Sequence, residues 1–247
     1  MIKLFKNKCI FKLIQSESTN NFVSKLPSNT PEGSIAYTLN QTKGRGIGTN
    51  QWESEPYKNL TFSILLHPDF LKAIEQFYLL KAIAIAVFDF ISIYTDKVSI
   101  KWPNDIYVAD KKIAGILIEN SIERDIIKQS IVGIGININQ KTFSSDAPNP
   151  VSLFQINQQE YDVEECLKLI SGHIERQYSL LSARDFKSID RNYLKTLYRF
   201  NQLSEYSANG IKFSGTIIAV ESTGELVIID NFGQTRNFLF KEVEYLF

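Results

Sequence analysis

The sequence predicts an α+β fold with a small all-β unit at its C-terminal end, and three observations carry that prediction. Isoleucine- and valine-rich runs separated by short polar turns fill residues 98–139 and read as consecutive strands of a largely antiparallel sheet. Segments with helical apolar spacing, at about residues 70–94, 162–181 and 186–200, supply helices to flank it. After Gln202 the chain changes to short β segments with turn signals at Asn209-Gly210, Thr223-Gly224 and Phe232-Gly233. That pattern suggests a small antiparallel barrel or sheet appended to the larger domain. With 247 residues, 44% of them apolar, there is ample material for both.

Taken in order, Ile10 to Ile14 forms the first strand. Ser18 or Thr19 then caps a short helix carrying Phe22, Val23 and Leu26, which Pro27 ends. Ile35 to Leu39 and Leu60 to Leu66 are the next strands. The polar, glycine-bearing segment between them, Asn40 to Asn59, has the length of a functional or disordered loop and is expected to be mobile when empty. The helix at 70–94 is apolar around much of its circumference, as suits a helix lying across a sheet. Four strands follow, SIKWP, DIYVA, KIAGILIEN and KQSIVGIGININ, with a hairpin turn at Ser121 to Asp125. A Pro/Ser/Asn-rich stretch, Ser144 to Pro150, ends this sheet region. Asp162 then caps a helix with Glu165 three positions on and an apolar face of Leu167, Ile170, Ile174 and Leu181. A second helix runs from about Phe186 to Phe200.

Composition removes several function classes. The formal net charge is zero, so there is no electrostatic basis for wholesale binding to nucleic acid or membranes. Cys9 and Cys166, like His67 and His173, are isolated, which argues against a disulfide framework or a His/Cys metal centre and leaves metal ligands unassigned. The apolar stretch Ala82 to Ile93 is interrupted by Asp89 and is too short to span a bilayer. The N-terminal residues lack a long apolar core or a small-residue cleavage site, so a cytoplasmic protein is expected.

Three segments carry chemistry, each with a plainer reading beside it. Gln41-Thr42-Lys43-Gly44-Arg45-Gly46-Ile47-Gly48, running on to Trp52, can approach a ligand through its backbone and offers Arg45 as a fork for phosphate or carboxylate. Equally, it could be a simple connector; it is neither a Walker A nor a GxGxxG sequence. Lys101-Trp102-Pro103-Asn104-Asp105 reads as a rigid bend that aims Asn104 and Asp105, with Lys112 rising on the next strand near the Asp105 carboxylate. A lysine there can also be an ordinary surface charge. Gly115 within the apolar run Ile113 to Leu117 lets a flat ligand lie against the strand. Gly133-Ile134-Gly135-Ile136-Asn137 has one bulky and one bare face, to be filled by a helix or by a planar apolar ligand. Without a Ser/His/Asp or Cys/His constellation, this inventory suits electrostatic rather than covalent catalysis.

In order and spacing, Ser18-Thr19-Asn20, Gln41 with Gly44-Arg45-Gly46 and Trp52, KWPND with Lys112 and Gly115-Ile116-Leu117, and GIGIN at 133–137 resemble the biotin protein ligases. The motifs cover roughly residues 10 to 140. The resemblance implies a mixed, largely antiparallel sheet with flanking helices over residues 1–202, forming a biotin- and ATP-binding catalytic domain. It implies an SH3-like β domain over 203–247. Biotin and Mg2+-bound ATP would give biotinyl-5′-adenylate and pyrophosphate, and the adenylate would then acylate a lysine of a biotin carboxyl carrier protein or domain. By similarity, Lys112 and Arg45 are the catalytic cations. The biotin side comprises Ser18, Thr19, Asn20, Gln41, Gly44, Arg45, Gly46, Lys112, Gly115, Ile116 and Gly135. Trp52, Asn104, Asp105, Lys112 and Asn137 face the nucleotide.

Many members of that family carry an arginine or a polar residue where this chain has Ile47, so a weaker grip on the adenylate is expected unless Lys43 substitutes. With the Ser-Thr-Asn motif beginning at Ser18, no N-terminal DNA-binding domain is expected. Lipoate or octanoate ligases and transferases resemble the same catalytic fold, but this chain lacks their arginine- and glycine-rich motif ending in histidine. A non-catalytic biotin-binding relative is the remaining alternative. Exposed strand edges leave a homodimer open.

Overall fold

β-Branched residues in long runs favour extended backbone, and the computed structural model, which describes residues 5–144 and 149–247, assembles them into two main sheets. The first is built from β1 (Ile10–Leu13), β2 (Ile35–Thr38), β5 (Leu60–Leu66), β6 (Val98–Lys101), β7 (Asp105–Val108), β8 (Lys111–Glu123) and β9 (Ile126–Ile136). Its order is β1-β2-β5-β9-β8-β7-β6. Only β1 and β2 run parallel; every other neighbouring pair in it is antiparallel, so the sheet is mixed as expected. The remaining pair, β3 (Gly44–Arg45) and β4 (Gln51–Trp52), forms a separate two-stranded ribbon.

Short α1 (Thr19–Val23) is capped by the Ser18 side chain, which accepts from the Asn21 N–H. It stops at Val23, leaving Leu26 outside. Helix α2 (Gln76–Ile91) is buried over most of its length, and a short 3-10 turn at Ala73–Glu75 precedes it. Helices α4 (Val163–Ser182) and α5 (Phe186–Thr196) pack against α2. Asp162 caps α4 through the N–H groups of Glu164 and Glu165. The second of these helices ends at Thr196 because Leu197 turns extended and Tyr198 donates its N–H to the Ile100 carbonyl.

A further helix, α3 (Leu153–Asn157), was not apparent in the sequence pattern; Ser152 and Gln155 form its capping box. The stretch expected to end the sheet region, Ser144 to Pro150, falls partly outside the described residues, as do the first four residues.

The second sheet contains β10 (Leu203–Ala208), β11 (Ile211–Val220), β12 (Leu226–Asp230), β13 (Thr235–Phe238) and β14 (Glu244–Tyr245), in the antiparallel order β13-β12-β11-β10-β14. Asn209 and Gly210 both take positive φ (52° and 77°) in the turn joining β10 to β11, the backbone that such a two-residue hairpin demands. The apolar core is continuous across both sheets, running from Leu60 and Ile83 to Tyr206 and Ile228. Lys81, only 1% exposed, helps join them. Its ammonium lies 2.7 Å from Asp190 Oδ1 on α5 and 3.4 Å from the carbonyls of Val220 and Glu221. No helix among the described residues is long and apolar enough to cross a membrane.

Candidate functional site

The site grows from the bend between β6 and β7. Trp102-Pro103 is a cis peptide, and the turn is held from both sides. Trp102 donates its indole N–H to the carbonyl of Gly224, in the turn after residue 220 that joins β11 to β12 (2.8 Å), and Tyr193 Oη donates to the Pro103 carbonyl (3.2 Å). Asn104 donates from Nδ2 to the Ile116 carbonyl (2.6 Å), while Ile116 returns its N–H to the Asn104 carbonyl. The Asn104 amide thus clips the bend to β8.

This clip leaves Asp105 opposite Gly115, and a bulge follows between β7 and β8 at Ile106/Tyr107. A bulge re-aims the side chains beyond it. Lys112 stands just past it on β8, its N–H and carbonyl tied to Asn149 and Val151. Its Nζ lies 2.7 Å from Asp105 Oδ1, with the two side chains 25% and 22% exposed. The ammonium–carboxylate pair expected from the sequence is present.

Register explains the floor beside this pair. Gly115 faces Gly135 across β8 and β9, and Leu117 faces Gly133, while Ile116 and Ile134 pair between them and are buried. Two glycines side by side make a bare shelf. The Trp52 indole packs over it. A Cβ built on Gly135 would collide with that indole, and one on Gly115 would stand 3.3 Å from it. Lys112 Nζ is 5.9 Å from the Trp52 ring centroid. The indole N–H is buried without a hydrogen-bond partner, an unusual and costly state that a ligand acceptor or a small displacement would relieve.

Within the loop 40–59, residues 44–45 and 51–52 pair as the β3–β4 ribbon. Gly44 pairs with Trp52 and Arg45 with Gln51, and the Gly46 N–H donates to the Asn50 carbonyl. Close packing requires glycine at 44, where a Cβ would meet the Trp52 carbonyl and the Gln41 amide. Arg45 reaches across to Glu119 on β8, with NH2 2.9 Å from both carboxylate oxygens.

Glu119 also accepts from Asn20 Nδ2 at 2.6 Å. Gln41 Oε1 accepts from the Thr19 N–H (2.9 Å) and lies 3.3 Å from its hydroxyl. Ser63 Oγ, fully buried, lies 2.7 Å from Thr19 Oγ1 and 2.5 Å from Asn20 Oδ1. A polar network of this kind, closed on itself, fixes rotamers and can present oriented donors and acceptors to a polar head group.

These parts enclose a cavity of about 610 Å³. Ser18, Thr19, Asn20, Gln41, Arg45, Gly46, Trp52, Asn104, Asp105, Lys112, Gly115, Ile116 and Gly135 all line it. Two expected residues do not. Gly44 is spent on the ribbon, and Asn137 is buried away from the cavity with its Nδ2 donating to the Val151 carbonyl at 3.0 Å. Lys43, the suggested stand-in for a loop arginine, pairs instead with Glu17 at 2.7 Å.

Sequence reasoning did not single out Glu119 or Ser63, named Lys101 in the KWPND run without a role, and missed the contribution of the second sheet. Phe240, Lys241, Val243, Tyr245 and Phe247 also line the cavity. Ser63 carried a signal, a lone hydroxyl inside the apolar strand LTFSILL. Glu119 and Lys241 carried none. Among the described residues, no three His, Cys, Asp or Glu side chains gather as they would to hold a metal ion.

Comparison with known proteins follows the same lines. The chain is 31% identical over 220 residues to the bifunctional ligase/repressor BirA of Bacillus subtilis, a match over 83% of this chain and 64% of that protein. This chain therefore spans less than two thirds of that relative's length. The biotin–[acetyl-CoA-carboxylase] ligase of Paracoccus denitrificans is 25% identical over 223 residues, 87% of this chain and 92% of that one. Among solved structures, the biotin protein ligase from Aquifex aeolicus in complex with biotin and ATP superposes with a TM-score of 0.81 at 25% identity, covering 97% of this chain and all of that one. Residues 10–137, which hold the ribbon, the bend, Lys112 and the glycine shelf, match the Biotin/lipoate A/B protein ligase family, and to that family the chain belongs.

Proposed function

We propose that the protein is a biotin protein ligase that forms biotinyl-5′-adenylate from biotin and ATP and passes biotin to a lysine of a biotin carboxyl carrier protein. In this reading residues 1–202 form the catalytic domain and residues 203–247 the small β domain. The observation that carries it is the Lys112–Asp105 pair set beside a glycine shelf inside a cavity. Relatives named as biotin ligases support the choice of acid.

The first step joins two anions. A biotin carboxylate oxygen attacks the α-phosphorus, and the bond to the β-phosphate oxygen breaks as pyrophosphate leaves. Lys112 is placed to lie between carboxylate and phosphate, and Arg45 can swing from Glu119 to the same charge. Preorganised cations stabilise the developing charge better than the same groups in bulk water. Ser18, Thr19, Asn20 and Gln41 would hold the polar head group. Magnesium enters with ATP as part of the substrate. In the second step a carrier lysine amine attacks the acyl carbon, and AMP departs.

The test is biotin-dependent exchange of pyrophosphate into ATP, followed by biotin transfer to a purified apo-carrier domain. Lipoate or octanoate driving the exchange in place of biotin would overturn the choice of acid. Exchange with neither would leave a non-catalytic biotin-binding protein.

The glycine shelf makes a graded prediction. Gly135→Ala drives a methyl into the Trp52 indole, whereas Gly115→Ala makes only a tight contact. Overpacking of about 1–3 kcal/mol predicts a loss of roughly ten- to a hundred-fold in exchange for Gly135→Ala and a milder loss for Gly115→Ala. Steady-state kinetics showing the reverse order would contradict the shelf's role.

A further inference from the structure

Ser63 and Glu119 do not line the cavity, yet both bond to side chains that do. Ser63 lies on β5, opposite Gly133 of β9. The Asn20 amide rests over that glycine, where a Cβ would stand 2.3 Å from Asn20 Oδ1. Strand register and the missing side chain thus gather polar groups from α1, β5 and β8 into one row: Glu119, Asn20, Ser63, Thr19. Asn20, Ser63 and Thr19 are buried, so water does not compete for their bonds.

The protons along this row give it a direction. A carboxylate accepts hydrogen bonds and donates none. Glu119 Oε2 therefore takes the Nδ2 end of the Asn20 amide, at 2.6 Å, which turns Oδ1 toward Ser63. An amide oxygen also only accepts, so the 2.5 Å contact uses the single proton of the Ser63 hydroxyl. The 2.7 Å contact between Ser63 Oγ and Thr19 Oγ1 then takes its proton from Thr19. Gln41 Oε1, which accepts the Thr19 N–H, is an acceptor as well and returns no proton. Thr19 borders the cavity with lone pairs and no free proton, and it meets a ligand as an acceptor. Reversing the row would set the Asn20 oxygen against the Glu119 carboxylate and leave two acceptors facing each other.

Glu119 has a second client, Arg45, whose NH2 lies 2.9 Å from both carboxylate oxygens. That pair is 43% and 39% exposed, and an ion pair so open to water contributes little. The bond to buried Asn20 is the one that water does not replace. Glu119 therefore acts in this row as an acceptor first and as a charge second.

We propose that Ser63 and Glu119 are positioning residues that fix the hydrogen-bond polarity of the head-group cradle, so that the site selects an acid whose head group carries ring N–H donors. The inference rests on the ligase reading, in which that group is the cyclic urea of biotin. A urea N–H finds the Thr19 lone pair already aimed and free of a competing proton. A head group without N–H, such as a dithiolane, buries the same lone pair unpaired and is disfavoured. Selectivity is thereby set from behind the cavity wall, by two side chains that do not touch the ligand.

The experiment measures two ligands by calorimetry: biotin directly, and by competition its cyclic carbonate analogue, in which oxygen replaces both ring nitrogens. The proteins are the wild type, Ser63→Ala, Glu119→Ala and Glu119→Gln, each with a thermal melt and with Michaelis constants for biotin and ATP in pyrophosphate exchange. Ser63→Ala and Glu119→Ala are expected to weaken biotin about ten-fold and the carbonate little, so the wild-type preference shrinks by that factor. The Michaelis constant of biotin should rise and that of ATP should not. Glu119→Gln keeps an amide oxygen for Asn20 while removing the charge opposite Arg45, and it should retain most of the biotin affinity. Unchanged biotin affinity in Ser63→Ala would overturn the proposal even if Glu119→Ala failed to fold. Equal weakening of biotin and carbonate, the mark of a merely structural role, would overturn it too. Glu119→Gln as damaging as Glu119→Ala would give the effect to the ion pair with Arg45 and remove Glu119 from the relay. Wild-type protein that prefers biotin in this way yet exchanges no pyrophosphate would instead refute the ligase reading and leave the relay standing.

Discussion

Lys112→Ala is expected to abolish biotin-dependent pyrophosphate exchange while leaving the chain folded. Its backbone bonds to Asn149 and Val151 do not involve the side chain, so the start of β8 survives the substitution. Asp105, 22% exposed, can be rehydrated once its partner is gone. What is lost is the cation that relieves repulsion between a carboxylate and a phosphate at the moment of attack. Removing one such preorganised group costs about 3–4 kcal/mol, on the order of a hundred- to a thousand-fold in rate. Exchange kinetics beside a thermal melt check both halves of the expectation. Normal exchange in the variant would sink the assignment of Lys112.

Asp190→Ala is expected to be among the most destabilising single changes in the chain, and more so than Lys81→Met. Lys81 is almost wholly buried, its ammonium surrounded by the rings of Phe77, Tyr78 and Tyr193 at 5.1–5.7 Å. Asp190 also accepts from Tyr78 Oη at 3.1 Å, and burial together with that carboxylate pushes the Tyr78 phenol up to about 12, so it remains a donor. Deleting the carboxylate leaves a buried charge with two long contacts to carbonyls and orphans a tyrosine hydroxyl. Breaking a buried pair in this way costs about 3–5 kcal/mol. Lys81→Met removes the charge itself, fills similar space, and leaves Asp190 at an edge where its side chain is 36% exposed. Denaturant titrations of both variants test the order. Lys81→Met proving the more damaging would show that the lysine's contacts to Val220 and Glu221, not its charge balance, hold the sheets together.

The parts of the site legible in the sequence were those whose chemistry is local. Trp102-Pro103 announces a bend, Asp105 and Lys112 flank one hairpin, and alternating glycines strip one face of a strand. Each signal lies within about ten residues of the group it positions. The parts that escaped depend on partners distant in the chain. Glu119 matters because the loop carries Arg45 to it, and Lys101 because Tyr245 and Phe247 close over it from the C-terminal end.

Asn137, which the resemblance alone turns toward the nucleotide, has its Nδ2 on the Val151 carbonyl, a partner 14 residues further along the chain. The fold reads similarly. Long periodic elements such as α2, β8 and β9 were plain, whereas five-residue α3 follows a segment of turn-formers that masks its capping box. Glycines in the 40–59 loop permit many backbone paths, so the sequence left its conformation unread. In the structure the same residues permit a tight ribbon.

That ribbon brings one of the chain's two tryptophans onto the glycine shelf, while the other is pinned at the junction of the sheets. The protein thus carries two native fluorophores with separate duties. Emission from Trp52 follows events at the shelf and is open to quenching and shift when its lone N–H finds an acceptor. Emission from Trp102 follows separation of the second sheet from the first. With Trp102→Phe or Trp52→Phe silencing one channel at a time, ligand arrival and parting of the two sheets become distinct optical signals in an unlabelled molecule.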